Sequence, residues 1–92
     1  MSSTKDFVLY AEIEKSFPKI EKLMTKEMFL KFKDTLPRKL KEYNFGLGTA
    51  VRLKLLRPKS TLYRSFVKNG YTDRDKMAIK IITEFHKNIN SR

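Results

Sequence analysis

The 92-residue chain has no cysteine. Disulfides and thiolate metal sites are therefore excluded, and the composition fits a reducing compartment. It has a single histidine, His86. With three glycines and three prolines, it has neither a low-complexity linker nor an internal repeat. No apolar run approaches the roughly 20 residues that span a bilayer. The start, Met1 to Phe7, lacks the apolar core of a signal peptide. These absences predict a soluble cytoplasmic protein with no membrane partner. The last absence is local: residues 43–72 contain no acid at all.

What is present is basic. The formal net charge is +11. Residues 1–30 contribute nothing to it, because Lys5, Lys15, Lys19, Lys22 and Lys26 are balanced by Asp6, Glu12, Glu14, Glu21 and Glu27. Between residues 38 and 68 stand Arg38, Lys39, Lys41, Arg52, Lys54, Arg57, Lys59, Arg64 and Lys68, against one acid, Glu42. A stable fold does not require such a concentration, which raises the local concentration of phosphates or acidic proteins. Hydrophobic content of 40%, with seven Phe and four Tyr, is too high for a disordered basic tail. The length allows one domain with a modest core, to which a homodimer would add.

Helical spacing runs through the chain, and no alternation suggests a hairpin. The expected fold is all-α, a single domain over 1–92 of five or six short helices. Residues 1–30 form charge-neutral N-terminal helices, and 31–92 a basic helical core. Met77, Ala78, Ile81, Ile82, Phe85 and Ile89 recur at spacings of three and four and form the apolar stripe of a last helix. Thr72 is read as its cap, with Asp75 completing a capping box. A shorter helix starts at the Ser60 cap, buries Leu62, Tyr63, Phe66 and Val67, and stops at Asn69-Gly70. Upstream, Asn44 is expected to cap a helix over 45–56 that ends before Pro58. In its first turn Gly46 and Gly48 permit close backbone approach. Pro37 opens a short segment reaching Tyr43. Thr25 caps a helix with Met28, Phe29, Phe32 and Leu36 inside. The stretch 5–22, with Phe7, Val8, Ala11, Phe17 and Ile20 apolar, is expected to divide at Pro18.

The segment Tyr43-Asn-Phe-Gly-Leu-Gly-Thr-Ala-Val-Arg52, followed by Leu55-Leu56, Ser60-x-Leu-Tyr63, Phe66, Gly70 and Tyr71-Thr-Asp-Arg-Asp-Lys-Met77, resembles a family of small uncharacterised bacterial and phage domains. Their pattern runs Phe-His-Phe-Gly-Leu-Gly, then Ile-Arg-Asn, then His-Pro-Asp-Asp-Met-Ser and a helix with paired Ile. The resemblance spans about residues 40–90, with Ile81-Ile82 in that helix. It departs at Asn44, at Lys54 and at Thr72-Asp73-Arg74-Asp75. It implies a helical domain in a bacterial or phage-infected cell and brings no established activity. Neither family histidine is retained.

The chemistry-bearing residues are few. General acid–base work needs positioned partners, and His86 has none in the pattern. Asp73 and Asp75 are better explained by helix capping than by a cation loop. Gly46-Leu47-Gly48 lacks the third glycine of a phosphate-binding fingerprint. No cofactor or metal is called for, and the reading is of a protein that is not an enzyme. The nine basic residues are the candidate binding surface, with Tyr71 as a residue able to stack on unpaired bases. Tyr63 is read as a core residue. For Arg52 a structural hydrogen-bond role and ligand contact remain equal alternatives. The expected partner is nucleic acid, RNA or single strands before a specific duplex site, because no helix-turn-helix recognition helix is present. The alternative is a phage-type inhibitor or antitoxin-like accessory that binds an acidic protein or a nuclease, with or without RNA.

Overall fold

In the computed structural model, which describes residues 3–92 with side chains from Phe7 onward, the chain is all-α. Five α-helices are present, α1 Ser3–Lys22, α2 Lys26–Asp34, α3 Leu47–Lys54, α4 Thr61–Lys68 and α5 Arg74–Asn90, with a 3-10 helix Pro37–Asn44 between α2 and α3. No strand is found among the described residues.

The apolar stripe of α5 is the centre of the core. Met77, Ala78, Ile81, Ile82, Phe85 and Ile89 are all buried, as their spacing requires. The 3-10 helix, α3, α2 and α1 pack against α5, and α4 packs on α1. Phe85 is ringed by aromatics: Phe32 stacks on it at 5.7 Å, and Phe17 tilts against it at 5.4 Å. Such pairs add roughly 0.5–1.5 kcal/mol each beyond burial.

Local chemistry sets the element ends. Thr25 accepts a bond from the Met28 N–H at 3.1 Å, and Ser60 accepts from Tyr63 N–H at 3.0 Å, so both act as the expected N-caps. Leu36, forced extended by the following proline, separates α2 from the 3-10 helix, which begins at Pro37. Gly70 sits at φ +89° and turns the chain after α4, with its N–H on Val67 O and the Tyr71 N–H on Phe66 O.

Several expectations are corrected. The cap of α5 is Asp73, whose Oδ1 accepts from Asp75 N–H at 2.8 Å, rather than Thr72. The helix expected over 45–56 is shorter, and Asn44 belongs to the 3-10 helix before it. Pro18 does not divide α1. It is exposed, and the one hydrogen bond it forfeits is outweighed by a stripe of Leu9, Ile13, Phe17 and Ile20, all buried. Phe7 and Val8, named among the apolar residues of this stretch, are exposed. Met28, Leu36 and Val67 are also exposed, because no element covers the faces they occupy.

Candidate functional site

The 3-10 helix turns every three residues or so, which sorts its side chains into three rows. Pro37, Leu40 and Tyr43 form the row that carries the buried Leu40 and the half-buried Tyr43, which packs against Phe32. Arg38, Lys41 and Asn44 form the second. Lys39, Glu42 and Phe45 form the third, in which all three are exposed.

Asn44 ends its row against Arg52 of α3. Arg52 Nη1 donates to Asn44 Oδ1 at 2.7 Å and lies 3.1 Å from Asp75 Oδ1, and Nη2 donates to Thr49 Oγ1 at 3.0 Å. The Arg52 carbonyl in turn accepts from Arg74 Nη2 at 3.1 Å. The guanidinium thus ties the 3-10 helix, α3 and the start of α5 together. These bonds are the structural role that was open for Arg52, whose side chain stays partly exposed.

The other eight basic residues are all exposed, and none has a carboxylate within ion-pair distance among the described residues. Arg38, Lys39 and Lys41 lie on the 3-10 helix. Lys54 ends α3, and Arg57 and Lys59 occupy the turn before α4, where Arg57 Nε donates to Leu53 O. Arg64 and Lys68 are one turn apart on the outer face of α4. Three carboxylates elsewhere are held by other cations, Glu12 by Lys15, Glu21 by Arg92, and Glu84 by Lys80 and Lys87, while Glu42 is exposed among the cations of the 3-10 helix. Burial opposes the charge of Lys80. Its bonds to the Tyr10 hydroxyl and Glu84, with their charges, nevertheless hold its pKa above the ordinary lysine value.

Tyr71 packs partly into the core. It is half-buried, edge-on to Phe66 with centroids 4.9 Å apart. Sequence reasoning missed Phe45, which follows the 3-10 helix and is 87% exposed, and Leu53 of α3, which is 64% exposed. Their signal was present only as a departure from the core stripe of the helix expected over 45–56. Two lysines of the neutral N-terminal region were also missed. Lys15 and Lys19 line a groove with Lys54 where α1 meets the start of α4.

His86 is buried, edge-on to the Phe32 ring at 5.3 Å, with Asn90 Nδ2 3.4 Å from its Nε2. No group of His, Asp and Glu that could hold a metal comes together among the described residues. No described helix is long and apolar enough to cross a membrane.

A family match runs from residue 11 to residue 89, from the middle of α1 to the end of α5. The chain belongs to the family described as domain of unknown function DUF6794. The match takes in α1 from residue 11 onward as well as the segment after residue 40, in keeping with the shared core. It agrees with membership of a small uncharacterised domain family, and it says nothing of a bacterial or phage origin or of a Phe-Gly-Leu-Gly motif. No curated protein and no solved structure matches the chain.

Proposed function

We propose that this DUF6794 domain is a non-enzymatic nucleic-acid-binding protein that takes single strands, RNA foremost, on the basic surface of its middle segments. The observation that carries the reading is the set of eight exposed cations without a carboxylate partner. A solubilising surface mixes signs, whereas uncompensated charge of one sign attracts a polyanion. Phe45 replaces Tyr71 as the stacking residue. It ends the exposed row that Lys39 and Glu42 form on the 3-10 helix, and base stacking is sequence-tolerant.

Fluorescence anisotropy with labelled single-stranded RNA, single-stranded DNA and duplex tests the reading. Log affinity for the single strands should fall with log salt by about 0.7 for each phosphate neutralised. The triple variant Arg57→Glu, Lys59→Glu, Arg64→Glu should lose most of the binding. Phe45→Ala should cost about 1–3 kcal/mol with little change in the salt slope. Unchanged RNA and DNA binding by the triple variant would overturn the proposal. The exposed Phe45, Leu53 and Val67 also favour a second reading, an inhibitor or antitoxin-like accessory docked on an acidic protein or nuclease. A partner that stays bound after nuclease digestion supports that one.

A further inference from the structure

A groove of about 350 Å³ opens where α1, the end of α3 and the start of α4 meet. Its cations come from opposite parts of the chain, Lys15 and Lys19 from α1 and Lys54 from α3. An anion already sits there: the Glu12 carboxylate accepts from the Thr61 hydroxyl at 2.7 Å and from Lys15 Nζ at 3.2 Å. The Thr61 bond, acting against partial burial and helped by Lys15 and Lys19, holds the Glu12 pKa below its ordinary value. Lys19 and Lys54 have no carboxylate within ion-pair distance among the described residues. Thr61 also begins a line on α4, because Arg64 and Lys68 follow it at helical spacings of three and four. The line of cations on α4 therefore leads into the groove.

We infer that the groove holds a backbone phosphate of the bound strand, with Lys19 and Lys54 as its charge partners and Glu12 as the resident carboxylate it competes with for Lys15. The inference rests on the nucleic-acid reading above and extends its surface from the middle of the chain onto α1. Three physical consequences follow. The strand runs from Lys68 past Arg64 to Thr61 and then across to α1. Removing the Glu12 charge tightens binding, because the incoming phosphate no longer meets a like charge. Reversing Lys19 weakens it, although Lys19 lies in the part of the sequence with no net charge.

The experiment compares wild type, Lys19→Glu, Glu12→Gln and the double variant Arg64→Glu, Lys68→Glu, each checked for helix content by circular dichroism. The readout is anisotropy of a labelled oligouridylate over a range of salt. Lys19→Glu is expected to weaken binding about tenfold and to shrink the salt slope by about 0.7. Glu12→Gln, whose amide oxygen still accepts from Thr61, is expected to tighten it about three- to tenfold. If the α4 double variant loses affinity while Lys19→Glu or Glu12→Gln leaves it unchanged, the groove inference is overturned and the nucleic-acid reading stands. If the α4 double variant also binds as wild type does, the reading itself fails.

Discussion

Gly48 is buried at the first turn of α3 with no room for a side chain. A Cβ there would lie 2.8 Å from Asn44 Oδ1, 3.3 Å from Arg52 Nη1 and 3.3 Å from the Tyr43 carbonyl. The first two atoms are partners in the shortest bond of the Arg52 junction, so neither moves freely. Gly48→Ala should therefore destabilise the fold by about 1–3 kcal/mol, whereas Gly46→Ala, with nothing within 4 Å, should change it by no more than about 0.5 kcal/mol. Urea unfolding midpoints decide the matter, and equal midpoints for the two variants would contradict it. The sequence shows both glycines and Arg52, and it suggests close packing. It does not distinguish Gly48 from Gly46. That distinction depends on Asn44 lying at the end of a 3-10 helix, so that its amide meets an arginine eight residues on.

At the scale of elements, chemistry local to three or four residues was legible and longer coupling was not. Ser60 and Thr25 were readable as caps because a hydroxyl before a helical run has one obvious use. Asp73 was missed by one position because its carboxylate reaches the N–H only two residues on. The contact of α1 with α4 has no sequence signal, since Glu12 and Thr61 are 49 positions apart. That contact predicts a pH dependence. The Thr61 bond is the largest cause of a Glu12 pKa lowered below 4.5, opposed by desolvation and aided by Lys15 and Lys19. The folded state thus binds fewer protons at this site than the unfolded state does. The stabilisation is complete above the ordinary value and is lost as pH falls through the lowered folded value. Stability of wild type and Thr61→Val, measured in urea at pH values from about 7 down to 3, should converge as Glu12 becomes protonated. A difference that stays constant down the acid limb would refute the coupling.

At the scale of the whole molecule, charge and core divide the chain differently. The sequence separates a neutral 1–30 from a basic 31–92, and the expectation of a basic helical core in 31–92 followed from that boundary. The core ignores it. Leu9, Ile13, Phe17 and Ile20 of α1 join Phe32, Leu56, Phe66 and the α5 stripe in one cluster. Periodicity along α1 was obscured by reading Pro18 as a break and by naming Phe7 and Val8 rather than Leu9 and Ile13 among its apolar residues. A chain reduced to residues 25–92 tests which division governs folding. It keeps every mid-chain cation and loses the four buried apolar side chains Leu9, Ile13, Phe17 and Ile20, each worth about 1.5–3 kcal/mol. The total, about 6–12 kcal/mol by that scale, is comparable to the entire stability of about 5–15 kcal/mol typical of a natural domain. It also uncovers the inner face of α4, where Leu62 and Phe66 are buried. The fragment should therefore show weak helical circular dichroism and no cooperative thermal transition, and any residual RNA binding should be of the non-specific kind that charge alone provides. A cooperative melt with retained helicity would show instead that residues 25–92 fold alone and that α1 is an addition to a domain already complete.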